Sequence, residues 1–294
     1  MTGDPAETIS IEEGPSVQDR VRRGLAGFTE AESRVARALL GEYPTAGLET
    51  VAKFAKRART SGPTILRFIG RLGFENYADF QEALRSEIQA RLQGPLSRYK
   101  ARRVTASDAP AAVVAHNLQQ NIEVVERNLR PILGTIVALL ADTDRQVLCI
   151  GGRFSWTIAS YLHHYLREVR PSVRLVRDSS AAWADYLLDI RPGDIVVVFD
   201  YRRYQQDVLN FARVAAAQQA EIVLFTDPWY SPVAAFAKVV IPCPVSIPSA
   251  FDSGVTGLAA VEIIVAALLD ALDDLPRDRI ATLERLRRPF QLES

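Results

Sequence analysis

The chain has 294 residues, enough for two domains with separate cores, and 48% of them are apolar, which excludes general disorder. No apolar run approaches the roughly 20 residues of a bilayer-spanning helix, and the two cysteines, Cys149 and Cys243, have no metal-ligand spacing. The formal net charge of zero is unevenly spread: residues 16–103 carry 17 Lys and Arg against 9 Asp and Glu, a net of +8, with −4 on either side. A basic first third predicts a polyanion partner for that part alone. Abundant arginine in general would explain many arginines, but not their surplus over acids in one region.

Residues 1–16 read as a flexible tail, acidic and interrupted by Gly and Pro; Met1–Glu7 has neither the basic nor the apolar region of a secretory signal. With so few cysteines, the expected compartment is a reducing cytoplasm. Thr29-Glu-Ala-Glu32 is a capping box, and its two acids suit the positive end of a helix. Ala31, Val35, Ala38 and Leu39 form the apolar face of the helix it opens, and Pro44 closes that segment. A second helix starts near Thr50, with Val51, Phe54, Ala55 and Ala58 on one side. Arg59-Thr60 is a turn. A third helix runs from Ser61, as its N-cap, to about Leu72; Pro63 is tolerated in the first turn, and Gly73 ends the helix in a left-handed conformation. A further helix over Tyr77–Leu92 completes an all-α domain at residues 17–93. Residues 94–108 show little periodicity and many basic and small polar residues, and read as the interdomain linker.

Residues 109–294 form the second predicted domain. It opens as helix to about Ala141, interrupted at Pro131. Beyond Arg145, short apolar runs (Val147–Ile150, Val173–Val176, Ile195–Phe199, Ile222–Phe225, Val239–Ile241) recur at intervals of roughly 20–25 residues between helical stretches. That pattern predicts an α/β domain with a five-stranded parallel sheet and helices on both faces. An apolar helix over about Val255–Leu272 follows, then a charged end from Arg277.

The third helix of the first domain carries the first candidate site. Ile65, Phe68, Ile69 and Leu72 share the side that packs inward, while Thr64, Arg67 and Arg71 share another. A recognition helix reads base edges mainly through its leading residues, and arginines take phosphates or guanine. Ser61, Gly62 and Thr64 are therefore assigned to the groove, and Arg67 and Arg71 to phosphate or guanine. Lys53, Lys56, Arg57 and Arg59 are assigned to backbone anchoring. The competing reading is a solvated charged face on a small helical domain, which also serves protein–protein contacts.

Phe54-Ala55, then Ser61, Thr64, Arg67, Phe68, Leu72, Gly73 and Phe74, resemble the N-terminal domain of RpiR-type bacterial transcriptional regulators. Phe28–Ala36 resembles that family's opening helix. One departure is the turn, where the family usually has Gly and a small aliphatic residue. Here Arg59 is expected to take a left-handed conformation at some cost.

In that family the second domain is a SIS (sugar isomerase) module, and residues from about 110 to 275 are similar to one. Its ligand loops follow strands, at the sheet end where open α/β proteins bind ligands. The loop Gly151-Gly152-Arg153-Phe154-Ser155 matches the family's Gly-x-Gly-x-Ser at Gly152 and Ser155, and leads into a helix whose free amides favour an anion; read alone, it is equally a tight turn. The loop Asp200-Tyr201-Arg202-Arg203-Tyr204-Gln205 stands where the resemblance implies Ser-x-Ser-Gly-x-Thr, so the hydroxyl cradle is replaced. Arginine binds phosphate or carboxylate bidentately, which keeps an anionic ligand open; the alternative is that Arg202 and Arg203 make structural ion pairs with Asp200 or Asp227. Thr226-Asp227-Pro-Trp-Tyr-Ser231-Pro232 resembles a family turn that sets strand-to-helix geometry. Ala250-Phe251-Asp252-Ser253 closes the pocket, with Ser253 as the expected contact. The candidate ligand set is Gly152, Arg153, Ser155, Asp200, Arg202, Arg203, Tyr204, Gln205 and Ser253.

Aldose–ketose isomerisation needs a base poised between two carbons. His116, His163 and His164 fall in helical stretches and Glu262 in the last long helix, so no base–acid pair is expected, and no metal or cofactor. The resulting expectation is a DNA-binding transcriptional regulator whose SIS-like domain senses a small anionic metabolite such as a sugar phosphate. It is expected to act on operator DNA as a homodimer or homotetramer. Two alternatives stay open: a sugar-phosphate isomerase or related SIS enzyme, and a regulator whose SIS domain only oligomerises.

Overall fold

Ser16 opens the first helix, α1 (Val17–Gly24), by accepting the Asp19 amide at 3.0 Å. The computed structural model describes residues 16–92, 94–102, 110–177 and 180–290, so the expected tail lies outside the described residues except for Ser16. The chain divides into two units between Ala90 and Arg91.

In the first unit, α2 (Glu30–Gly41) begins at the predicted capping box: the Thr29 amide donates to Glu32 Oε2 at 2.8 Å, and the Glu32 amide to Thr29 Oγ1 at 3.4 Å. A short α3 (Thr45–Leu48) precedes α4 (Val51–Arg57), whose N-cap is Thr50. Next come α5 (Gly62–Arg71) and α6 (Tyr77–Leu92). Arg59 has φ +50° and Gly73 φ +89°, the left-handed conformations expected of the turn and of the helix end. Val35, Leu39, Phe54, Ile65, Phe68, Ile69, Phe80 and Leu84 make the core. Tyr77 and Gln81 of α6 both donate to the carbonyls of Gly47 and Glu49, which holds α3 in place.

The second unit starts with α7 (Pro95–Arg102), inside the stretch expected to be linker; residues 103–109 lie outside the described residues. Then follow α8 (Pro110–Leu129) and α9 (Leu133–Ala141), broken at Pro131 as predicted. The remainder alternates: β1 (Val147–Gly151), α10 (Trp156–Val169), β2 (Val173–Leu175), α11 (Trp183–Leu187), β3 (Ile195–Phe199), α12 (Gln206–Ala217), β4 (Glu221–Thr226) and β5 (Val239–Pro242). It closes with α13 (Val255–Ala271) and α14 (Leu275–Arg287), the latter inside the charged end. The five strands are parallel in the order β2-β1-β3-β4-β5, with Val147 opposite Ile195 and Ile195 opposite Glu221.

Every residue of β1 and β3 is buried, because helices cover both faces. Val147 and Cys149 turn to the layer containing Leu129, Ile136, Leu162 and Ile264; Leu148 and Ile150 turn to the layer containing Val208, Phe211 and Ala215. Both cysteines are free and buried, and burial pushes the Cys149 thiol up to about 12. At the N-terminal end of the sheet, Arg170 is fully buried and donates to the carbonyls of Leu140, Arg145 and Pro171. The strand order reverses direction between β1 and β3, which opens a crevice at their C-terminal ends.

Candidate functional sites

The α4–α5 pair follows from two capped starts and the left-handed Arg59 between them. Ile65, Phe68 and Ile69 are buried, so the opposite stripe of α5, Pro63, Leu66, Arg67 and Gly70, faces solvent at i, i+3, i+4 and i+7 spacing. Among the described residues, Lys53, Lys56, Arg59 and Arg67 are exposed and make no ion pair. Lys53 and Lys56 stand on α4, Arg59 in the turn before Ser61, and Arg67 on α5.

Three residues assigned to DNA from sequence have other partners. Thr64 is buried, with its hydroxyl 2.9 Å from Ser61 Oγ, so it supports the turn instead of pointing outward. Arg57 pairs with Glu42 and, at 2.6 Å, with Glu49, holding α4 to the preceding loops. Arg71 donates to Glu32 at 2.7 Å and to the Gly27 carbonyl at 3.0 Å, and lies over the Phe28 ring. The Thr29 amide, with help from Arg71, holds the Glu32 carboxyl below the usual carboxylate range. Leu66, 49% exposed, was not singled out from sequence, although its place in the stripe opposite the core face was readable.

In the second unit, the β1 loop turns sharply: a Cβ on Gly151 would sit 2.6 Å from backbone atoms of Ser155 and Trp156. Ser155 accepts the Gly152 amide at 2.8 Å and donates to the Phe199 carbonyl at 2.6 Å, so its hydroxyl ties β1's loop to the end of β3. The Arg153 amide, at the start of α10, donates to Gln205 Oε1, and a Cβ on Gly152 would collide with the same amide group. The Gln205 side chain thus occupies the seat where an anion would meet this loop. Beside it lies a cleft of about 300 Å³ lined by Gly152, Arg153, Trp156, Arg177, Trp183 and Asp207, among others.

The β3 loop is equally committed. Asp200 is buried and accepts from the Ser231 hydroxyl and, at 3.3 Å, from the Gln205 amide. Asp227 accepts from Tyr204 at 2.8 Å, from the Trp229 amide at 2.9 Å and from the Arg202 amide. Burial pushes both carboxyls up to about 6, more than their hydrogen bonds lower them. Asp200 and Tyr204 therefore brace the turn predicted at Thr226–Pro232. Arg202 pairs with neither Asp200 nor Asp227 through its guanidinium. That group grips Asp252 through Nη2 and, at 3.1 Å, Nε, and stacks on Trp229 at 4.7 Å. Arg203 is exposed with φ +65°. Ser253 caps α13 by accepting the Val255 amide at 3.2 Å, so its neighbour Asp252, not Ser253, reaches the loop. Arg98 of α7 also holds Asp252, at 2.6 Å, a long-range contact with no local sequence signal.

A larger open depression of about 840 Å³, lined by Arg167, Arg174, Arg191 and Arg279 among others, lies at the opposite end of the sheet from these loops. His116 lies in α8, His163 and His164 in α10, and Glu262 in α13, where it accepts the Tyr161 hydroxyl at 2.8 Å. His163 is buried and held near pKa 4 by burial, so it is neutral at pH 7. No single helix among the described residues is long and apolar enough to cross a membrane.

A helix-turn-helix domain model of the rpiR family matches residues 16–91, and a SIS domain model matches residues 139–267. No curated protein sequence matches the chain. The solved structure of the Vibrio vulnificus NanR protein complexed with ManNAc-6P is 20% identical, covering 95% of this chain and 100% of its own, with a TM-score of 0.55. The sugar isomerase domain of an RpiR transcription factor from Sphaerobacter thermophilus is 19% identical over 60% of this chain and 99% of its own, with a TM-score of 0.57. An Escherichia coli CFT073 protein, c3406, in complex with A5P is 18% identical over 59% of this chain and 94% of its own, with a TM-score of 0.50. At these identities the likeness to the solved structures is one of fold. The two domain models, matched in order along one chain, identify the family: the chain belongs to the RpiR-type transcriptional regulators, with an N-terminal helix-turn-helix domain and a C-terminal SIS domain.

Proposed function

We propose that residues 17–93 bind a specific DNA duplex through α5 and that residues 109–294 sense a small anionic metabolite, in a symmetric oligomer acting in the cytoplasm. The observation that carries the DNA assignment is the solvent-facing stripe of α5 together with Lys53, Lys56, Arg59 and Arg67, exposed on α4, the turn and α5 and without an ion pair among the described residues. Ser61, Gly62, Leu66 and Arg67 enter the major groove, Leu66 against thymine methyl groups and Arg67 on guanine or phosphate. Lys53, Lys56 and Arg59 hold the backbone. Arg57, Thr64 and Arg71 act behind them, fixing the reading helix. A dimer presents two such helices to a pseudo-palindromic operator.

The metabolite site is the crevice at the β1 and β3 loops, with Arg153, Arg202 and Arg203 as its cations. The ManNAc-6P in the NanR structure directs the search for an effector to phosphorylated sugars. We read the second domain as a sensor and not a catalyst. The three histidines and Glu262 belong to helices, and the carboxyls at the β3 loop, Asp200 and Asp227, are buried and engaged by Ser231, Tyr204 and backbone amides. One observation favours a second reading, in which the domain only oligomerises: Gln205 and Asp252 already occupy the loop donors.

Selection of bound duplexes from random DNA, followed by titration of the selected site, tests the first claim. Arg67→Ala should weaken operator binding about ten-fold or more (~1–3 kcal/mol) while leaving melting unchanged. Unaltered operator affinity would sink the assignment. A thermal-shift screen of phosphosugars and other anionic metabolites separates sensor from oligomer-only domain, since a ligand of the folded state raises the melting temperature.

A further inference from the structure

Residues 104–294 carry a net charge of −4, yet five arginines line the open depression of about 840 Å³ at the N-terminal end of the sheet. They come from four separate elements: Arg167 and Arg170 from the end of α10, Arg174 from β2, Arg191 from the turn before β3 and Arg279 from α14. Three aspartates line it with them, which leaves a surplus of two positive charges. Arginines spaced along one helix face are ordinary solvated charges. Like charges brought together from four elements repel one another, and the arrangement favours an anion among them.

The acids at hand are mostly spent. Asp194 is buried and accepts the Gln146 amide at 2.9 Å and the Arg191 amide at 2.8 Å, and Asp189 pairs with Arg174 at 3.1 Å. Among the described residues, only Arg174 of the five arginines has a carboxylate within ion-pair distance. Arg167 and Arg191 are exposed. Arg279 donates through Nη2 to the Arg167 carbonyl at 2.8 Å, while its Nε is shut off from solvent without an acceptor. Arg170 is fully buried on the carbonyls of Leu140, Arg145 and Pro171. Those neutral acceptors satisfy its N–H groups but do not cancel its charge.

We propose that this depression is a ligand site in its own right, separate from the crevice at the other end of the sheet, and that it takes a small polyanion bearing two or more phosphate or carboxylate groups. Arg167, Arg191 and Arg279 are its contacts, and the buried charge of Arg170 adds to the attraction from behind the wall. Arginine forks match phosphate and carboxylate oxygens alike, so one chemistry covers both classes. A single anionic group leaves part of the surplus unanswered; two or more groups on one skeleton reach cations on different elements at once. Leu188, 83% exposed on the same wall, offers an apolar surface to the carbon skeleton between the groups. Bound there, the ligand ties the end of α10, the turn before β3 and α14 together, and so stabilises the base of the second domain.

Calorimetry on the full chain, at an ionic strength held constant with chloride, tests this with pyrophosphate and citrate as probes and inorganic phosphate as the single-group control. At least one probe should bind about ten-fold more tightly than phosphate, and Arg191→Met or Arg279→Met should each weaken it by about ten-fold. Tighter binding of pyrophosphate alone assigns the site to phosphates, and of citrate alone to carboxylates. Arg153→Met, on the β1 loop at the other end of the sheet, should leave the affinity unchanged. Neither probe binding more tightly than phosphate, or equal weakening by Arg153→Met, overturns the site. Hydrogen exchange on the unaltered protein adds a readout that no substitution can disturb. Amides of residues 172–174 and 188–194 should exchange more slowly at saturating probe, and unchanged exchange there overturns the site. Displacement of the probe by duplex DNA would assign the depression to nucleic acid and overturn the small-ligand reading.

Discussion

Arg67 and Arg71 stand one helical turn apart on α5, and their surroundings give them opposite work. Arg67 faces solvent, with only the Thr64 hydroxyl within reach at 3.5 Å, whereas Arg71 is drawn onto Glu32 and the Gly27 carbonyl. Arg71→Ala should therefore cost about 1 kcal/mol of first-domain stability, measured by denaturant unfolding, where Arg67→Ala costs none. Equal effects of the two changes on unfolding would contradict this division. The buried carboxyls of the second domain predict a pH effect. Asp200 titrates near 6 when folded against 3.8 for the free side chain, so folding favours its protonated form. Its contribution is fully present below about pH 4 and is lost as pH rises through 6. Asp200→Asn, whose amide still reaches Ser231 because that hydroxyl can accept as well as donate, should gain melting temperature on the unaltered protein between pH 5 and 7.5. A difference constant with pH would refute it. Sequence placed hydroxyls and carboxyls on the loops that follow the strands but could not say whether their hydrogen bonds face inward. Ser155, Ser253 and Thr64 are each consumed internally, and that depends on neighbours distant in sequence, such as the Phe199 carbonyl.

At the scale of elements, the β1–α10 turn packs two glycines against different obstacles. A methyl group on Gly151 meets backbone at 2.6 Å, while on Gly152 it meets the tip of a flexible glutamine. Gly151→Ala should destabilise the second domain by about 2–3 kcal/mol and Gly152→Ala by clearly less, since Gln205 can swing away. Chemical denaturation of the two variants checks the order, and the reverse order would place Gln205 elsewhere. The central strands β1, β3 and β4 were legible because each is a short apolar run buried on both faces, and the capping box announced α2 by itself. Helices α3 and α7 were not legible. Each is short and lacks a clear apolar period, and each depends on remote partners: Tyr77 and Gln81 for α3, Asp252 for α7. The same reasoning explains why the expected linker begins as a helix.

The whole molecule is neutral, yet residues 16–103 carry a net charge of +8, so its DNA affinity should respond steeply to salt. If each protomer of a dimer sets Lys53, Lys56, Arg59 and Arg67 on phosphates, the logarithm of affinity should fall against that of salt with a slope of about −7. A slope near −2 would mean that most of these cations stay in solvent. A neutral molecule with one cationic domain also approaches DNA in a preferred orientation, since the field that guides encounter comes from that domain. Within the second domain, Arg170 gives the sheet two unlike ends. Its guanidinium bolts together the chain leaving α9, entering β1 and entering β2. The opposite rim is stitched mainly by side chains of loops. Such a sheet is stiff at its base and compliant at its rim, so deformation started at the rim is not dissipated through the base and stays with the segments attached there. Arg170 serves as the fulcrum that gives a small displacement among loops something to push against.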